Sequence, residues 1–388
     1  MKKVSLPTKA VLLISATLTV MAGATIAPSL PQMAETFQHV PHADFLSRLI
    51  LTLPALAIAF SSPIVGRLLD RVGRLKVMYP AMVIYAIGGS IGFFVEDIYV
   101  ILVGRLFLGL GVAGIMNSCV TLIGDYFQGP ERAKFVGLQA SFMSFGGAIF
   151  LTLGGLLADL DWRYPFLIYL ASLLVLGLAM RYLFEPERSQ PSGGAVAPPP
   201  PFVEVFKMIG IILFLAFSGM TIFYAIPVQL PFLLREIGVE SNTATGNAIA
   251  VATLVSTVVG FSYGAIKRRL SYRAIFLIIC SAMAIGFALT ARSNSLLEVM
   301  LGMVSVGVGI GMFMPNLNAW LFSKTTDQNR GQYMGYLNSS VFIGQFLSPI
   351  VAAPIITVVG LSGMFWVHSG VLVIGALYFG WLTFGWKR

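Results

Sequence analysis

Acidic residues are scarce in this chain: 388 residues hold 16 Asp and Glu against 25 Lys and Arg, and charged residues make up 11% of it. So few charges cannot clothe a water-soluble domain of this length. Histidine (3) and cysteine (2) are rarer still. Cys119 and Cys280 lie in apolar runs far apart in sequence, which suits small packing residues rather than a disulfide. With so few ligating and nucleophilic side chains, the chain presents no metal-binding cluster and no nucleophile–base constellation. A phosphate-cradling glycine loop is absent, and no polar stretch is long enough for a folded domain outside a membrane. These absences exclude most enzymes, and receptors built around an extramembrane domain. No cofactor or metal is expected.

What abounds is apolar length. Apolar residues make up 57% of the chain, and mean hydropathy is +0.86. A membrane-crossing helix needs about 20 of them. Twelve such runs can be read, near 10–31, 46–65, 77–94, 99–123, 134–157, 164–184, 203–227, 244–265, 274–291, 297–321, 332–356 and 363–385. The expected fold class is an all-α membrane protein of twelve transmembrane helices. The first run continues past Ala22-Gly23-Ala24, so it reads as an uncleaved span rather than a signal peptide. With the N-terminus inside, only Arg48, Arg163, Arg235 and Arg292 fall outside, and every other Lys and Arg but Arg105, which lies within the fourth run, is on the cytoplasmic side. Both termini then face the cytoplasm. Membrane orientation accounts for the net charge of +9 without a nucleic-acid partner.

Residues 186–201, P-E-R-S-Q-P-S-G-G-A-V-A-P-P-P-P, form a polar and then proline-rich linker. It divides the chain into an N-terminal six-helix half (1–185) and a C-terminal one (202–388). The halves repeat at an offset of 198, which pairs Gly66 with Gly264, Gly104 with Gly302, Gly109 with Gly307, Gly111 with Gly309, Arg132 with Arg330, Gly137 with Gly335 and Gly146 with Gly344. Seven pairs at one offset exceed coincidence. Parallel repeats of this kind occur in secondary transporters. The polar groups break the symmetry: Arg268 stands opposite Asp70, and Met303 opposite Arg105.

The stretch Gly66–Lys76, G-R-L-L-D-R-V-G-R-L-K, sits between the second and third apolar runs. Gly66 and Gly73 suit a tight turn with close backbone approach. Asp70 stands among Arg67, Arg71, Arg74 and Lys76, where it can bond neighbours or cap a helix. The spacing resembles motif A of the major facilitator superfamily, matched at Gly66, Leu68, Asp70, Arg71, Gly73, Arg74 and Lys76. L-V-G-R-L-F-L-G-L-G-V-A-G at 102–114 resembles motif B, with Arg105, Gly109 and Gly111 matching. A-P-S-L-P-Q-M at 27–33 and W-R-Y-P-F at 162–166 also resemble drug-efflux members. Motif C departs from the family pattern: Gly154-Gly155 is present, but Leu151-Thr152 stands where Gly-Pro is expected.

The resemblance implies a small-molecule exporter with its site between the two halves. By resemblance, Asp125 pairs with Arg71 or Arg74, and Asp70 meets the start of the eleventh span near Gln332 when the cytoplasmic side closes. Arg105, about 9 Å into its helix, is a buried charge that needs a polar interior or a partner. It sets the potential of the cavity or takes part in coupling. Met116, Asn117, Tyr224, Gln229, Met303, Met314, Asn316, Asn318, Asn338 and Gln345 are the candidate cavity residues, each with the alternative of bonding or packing between helices. His368 reads as structural. No Asp or Glu lies in the apolar cores of spans 1, 4, 5, 7, 8 or 11; Glu35, Asp125 and Glu298 are marginal. The expectation is therefore a monomeric bacterial inner-membrane exporter of neutral or anionic drug-like compounds, embedded in lipid and using a proton gradient. A sugar or metabolite exporter or uniporter is the alternative.

Overall fold

A computed structural model describes residues 4–186, 202–326 and 330–385. All of the linker beyond Pro186 lies outside the described residues. In the first part of the chain come α1 (Leu6–Ala24), α2 (Leu30–Thr36), α3 (Ala43–Val72), α4 (Arg74–Phe94), α5 (Ile98–Tyr126), α6 (Gly129–Leu160) and α7 (Ala171–Tyr182). After the linker come α8 (Phe202–Phe223), α9 (Ala225–Glu236), α10 (Asn242–Arg269), α11 (Tyr272–Ala291), α12 (Leu296–Phe322) and α13 (Arg330–Phe384). Short 3₁₀ turns, Ala27–Ser29 and Tyr164–Leu170, lead into α2 and α7. No strand occurs among the described residues.

Among the described residues, eleven helical segments are long and apolar enough to cross a membrane. The last, α13, has 55 residues, about 80 Å at helical rise against a hydrocarbon core of about 30 Å. It is interrupted at Gly360, whose φ of 73° and ψ of 178° leave the helical region. That break falls between the apolar runs expected at 332–356 and 363–385. Elsewhere hydropathy understates helix length. The run 46–65 ends where charges begin, yet α3 continues to Val72, because a helix need not stop where the bilayer does. Gly66 therefore lies inside α3, and a side chain there would meet nothing within 4 Å. The expected turn is at Gly73 alone, with φ of 117°.

The sequence repeat has physical content. A Cβ on Gly109 would lie 2.5 Å from the Pro54 carbonyl oxygen, and one on Gly307 would lie 2.7 Å from that of Ala252. Gly111 meets the Ala81 carbonyl at 2.8 Å, as Gly309 meets that of Ile279 at 3.0 Å. The partners of each pair are themselves 198 residues apart. In lipid no hydrophobic force drives helices together, so small residues that admit close backbone contact set the crossings. The breaks between helices also repeat: the chain leaves α-helix at Thr25–Ile26 and again at Tyr224.

Candidate functional site

The bundle has two unlike faces. On the face away from the Gly66–Lys76 loop, the first and second parts of the chain are sealed together. The Asp159 carboxylate at the end of α6 accepts the backbone N–H of Asn242 (2.6 Å) and of Thr243 (3.1 Å), with the hydroxyls of Ser241 and Thr243 also donating to it. It thus caps the N-terminus of α10 from across the molecule. Beside it, the Thr152 hydroxyl donates to Asn247 Oδ1 at 2.8 Å. Arg48 Nε donates to Gln229 Oε1 at 2.7 Å while its guanidinium lies 4.0 Å from the Phe232 ring centre. Arg235 pairs with Glu35 at 2.9 Å. Backbones touch here: Gly246 leaves room for only 2.3 Å between an added Cβ and the Leu151 carbonyl oxygen, and Gly155 for 2.5 Å to that of Asn242.

On the loop face the same helices stand apart. Gly66, Gly137, Gly264 and Gly335 have nothing within 4 Å of an added Cβ. Two clefts open there. One, of about 470 Å³, lies between α3, α5 and α13 and is lined by Arg67, Met116, Asn117, Gln332, Tyr336 and Asn338 among others. The second, of about 450 Å³, lies between α6, α10 and α12, with Ser141, Ser144, Ser256, Thr257, Met314 and Asn318 in its walls. Both linings combine amides, hydroxyls and methionines with glycine and apolar residues. Arg67 is the one charged side chain among the lining residues.

The loop itself is a clamp. Arg74 Nε donates to Asp125 Oδ2 at 2.9 Å, and its Nη1 to the Leu69 carbonyl at 3.2 Å. Glu185, which the sequence reading passed over, accepts the backbone N–H of Arg74 (2.6 Å) and of Leu75 (2.8 Å), and so caps α4. Only glycine at 73 permits this, since a Cβ would lie 2.8 Å from Glu185 Oε1 and φ is 117°. Gly73→Ala is expected to cost about 1–3 kcal/mol and to lower the thermal unfolding midpoint in detergent, whereas Gly66→Ala leaves it unchanged. Asp70 is exposed and forms no hydrogen bond or ion pair among the described residues. In this structure it does not meet the start of α13.

Several expected cavity residues lie elsewhere. Arg105 is fully enclosed, its guanidinium 4.8 Å from the Phe166 ring centre and 5.0 Å from that of Tyr169. It faces an aromatic box within the first part of the chain, not a cleft, and its three nitrogens find no acceptor among the described residues. The tyrosines around it donate to α1, Tyr85 to the Leu18 carbonyl (2.7 Å) and Tyr169 to that of Ala22 (3.1 Å). Met303 is fully buried in the core: it shares a helix face with Met314, but at a depth where the helices have closed. Asn316 is also buried, bonded to the Tyr263 hydroxyl (3.1 Å) and the Tyr272 carbonyl (3.2 Å). Gln229 belongs to the seal. Gln345 is half-buried and lines neither cleft. Tyr224 reaches across to α1, where a Cβ on Gly23 would lie 2.9 Å from its hydroxyl. Cys119 and Cys280 are free and buried, and His368 packs against Phe287.

The model of the Major Facilitator Superfamily matches residues 12–323 and 240–386. A bacillibactin exporter of Bacillus subtilis is 25% identical over 353 residues, 87% of each chain. The class C tetracycline resistance protein of Escherichia coli is 25% identical over 369 residues, 90% of each. Among solved structures, an inward-facing, occupied bacterial homolog of the human lysosomal transporter Spinster superposes with a TM-score of 0.78. It is 17% identical and aligns over 99% of this chain and 97% of that one.

Proposed function

The chain belongs to the major facilitator superfamily, and we propose that it exports a small neutral or anionic organic compound across a bacterial inner membrane by alternating access. The family and the relatives point to a transporter, not an enzyme. One observation carries the reading of mechanism: α6 and α10 are sealed to each other, and α3 to α9, at one face, while α3, α6 and α10 line open clefts at the other. A seal of short polar contacts with bare glycines opposite is what a rocking motion between two halves requires. In this reading α13 crosses the membrane twice, giving twelve spans in two six-helix halves. The loop face is cytoplasmic, so the clefts would load from inside. The protein acts as a monomer, with the proton gradient as driving force.

The linings support the substrate class. An organic cation entering low dielectric needs a carboxylate; among the cleft residues it meets amides, hydroxyls and Arg67. Curated relatives named for exporting bacillibactin and for tetracycline resistance fit a small-molecule exporter. Leu151-Thr152 in place of Gly-Pro, and spans without a central acid, favour a second reading as a sugar or metabolite exporter or uniporter.

Proteoliposomes with and without an imposed pH gradient separate the two. Proton-coupled export predicts uptake of neutral and anionic probes that collapses when the gradient is dissipated, with a permanent cation excluded. Gradient-driven export of a permanent cation would overturn the substrate assignment. Because Arg67 lines a cleft and Arg105 does not, Arg67→Gln is expected to weaken anion selectivity about fivefold, the effect of roughly 1 kcal/mol of exposed charge. Arg105→Met should leave the ratio of anion to neutral transport unchanged; a changed ratio would return Arg105 to the pathway.

A further inference from the structure

One surface feature belongs to the second part of the chain. Between α11 and the end of α13 an apolar groove of about 510 Å³ opens on the outer surface of the bundle, its walls formed by Leu277, Ala284, Leu377, Gly380 and Trp381 among others. Leu377 and Trp381 are largely exposed. At the offset of 198 the first part puts bulk where the groove runs, with Tyr79 for Leu277, Leu178 for Ala376 and Tyr182 for Gly380. There the Tyr79 hydroxyl donates to the Ala179 carbonyl at 3.4 Å, spanning the same interval. At these three repeat positions the second part has the smaller residue.

Its loop-face end is cationic. Arg273 lies one turn before Leu277 on the same side of α11, and Arg268 and Arg269 end α10 just before it. All three are exposed, and none has a carboxylate partner among the described residues. Lys267 is turned away from them, donating to the Leu270 carbonyl at 3.2 Å with its ammonium 4.0 Å from the Tyr272 ring centre. The repeat again marks the contrast: Asp70 stands at the position of Arg268, and Leu75 at that of Arg273. In the first part, the cations of this loop have Asp125 and Glu185 beside them.

An apolar groove that ends, at the membrane surface, in acid-free arginines and an exposed tryptophan has the chemistry of a phospholipid. We propose that this groove holds an anionic phospholipid of the leaflet on the loop face, an acyl chain along α11 and α13 and the phosphate against Arg273, Arg269 and Arg268. The site is separate from both clefts, and the inference stands whatever the transported compound is.

Native mass spectrometry of the full chain in detergent, with equimolar phosphatidylglycerol and phosphatidylcholine of matched acyl chains, tests it. The wild type should retain phosphatidylglycerol preferentially. Arg273→Gln should lower that preference about fivefold, the partition expected from one surface cation. Gly380→Leu, which fills the groove, should reduce retention of both lipids without changing thermal stability. Equal retention of the two lipids by the wild type overturns the proposal, and so does a preference that survives both substitutions. If Gly380→Leu fails to fold, quenching of tryptophan by brominated phosphatidylglycerol in wild type and Trp381→Phe decides. Loss of most of the quenching in Trp381→Phe supports the site, and unchanged quenching overturns it.

Discussion

Gly246→Ala should spring open the face that this structure keeps closed. A methyl at that position would lie 2.3 Å from the Leu151 carbonyl oxygen, and α6 and α10 must part to admit it. The obstacle is backbone, which has no rotamer to yield. Overpacking of this kind costs about 3 kcal/mol at the upper end of its usual range, roughly a hundredfold in a two-state equilibrium. Because the clash joins the first part of the chain to the second, the cost falls on the closed seal and not on the fold of either part. Gly335→Ala on the loop face is the control, since nothing lies within 4 Å of its added Cβ. A cysteine at Thr152, beside the Asn247 contact, reports the seal when Cys119 and Cys280 are replaced by alanine. In Gly246→Ala it should react with an impermeant maleimide far faster than in the unaltered background, while Gly335→Ala leaves the rate unchanged. An unaltered rate in Gly246→Ala would mean that the contact is not part of a moving seal.

The helices themselves were legible because lipid demands long apolar runs and turns of few residues. Their ends were less so, as α3 shows by running to Val72 well past its last apolar stretch. Within the candidate site, contacts between side chains of opposite charge were the readable ones. The family resemblance marked Asp125 as the partner of Arg71 or Arg74, and its carboxylate accepts from Arg74. Glu185 and Asp159 were not visible, because each spends its carboxylate on backbone N–H groups, and every residue but proline has one. Arg105 was legible as a buried cation, but its partners are ring faces of Phe166 and Tyr169, which periodicity does not mark. Met303 and Met314 lie on one face of α12 by helical spacing. Only the splay of helices toward the loop face separates the buried one from the cleft-lining one. A cleft open at one end makes depth as decisive as helical face, and a one-dimensional pattern carries no depth.

Asp159→Asn is expected to weaken the seal, and Asp70→Asn the opposite closure. In wild type, Asp159 offers two acceptor oxygens to the N–H groups of Asn242 and Thr243 and to two hydroxyls. Asparagine keeps the shape but removes the charge that favours a helix N-terminus, and it turns an amide N–H toward groups that themselves donate. Charge-assisted bonds contribute about 1.5–3 kcal/mol when buried. Asp159 is exposed, so a discounted 1–2 kcal/mol applies, roughly a 5–30-fold loss of the closed population. The Glu35–Arg235 pair has its carboxylate more than half exposed and no helix end to cap, so Glu35→Gln should shift the same equilibrium by less than about fivefold. Asp161→Asn is the local control, since among the described residues the Asp161 carboxylate accepts only the N–H of Arg163 two residues on. Asp70 has no partner to lose among the described residues, so Asp70→Asn should leave maleimide reactivity at position 152 low while slowing transport, because the closure it would stabilise is the other one. The order of reactivity expected is Asp159→Asn well above Glu35→Gln, with Asp161→Asn and Asp70→Asn at the level of the unaltered protein. Should Asp159→Asn react no faster than Asp161→Asn, its cap on α10 is a static surface contact and the seal rests on the glycine crossings alone.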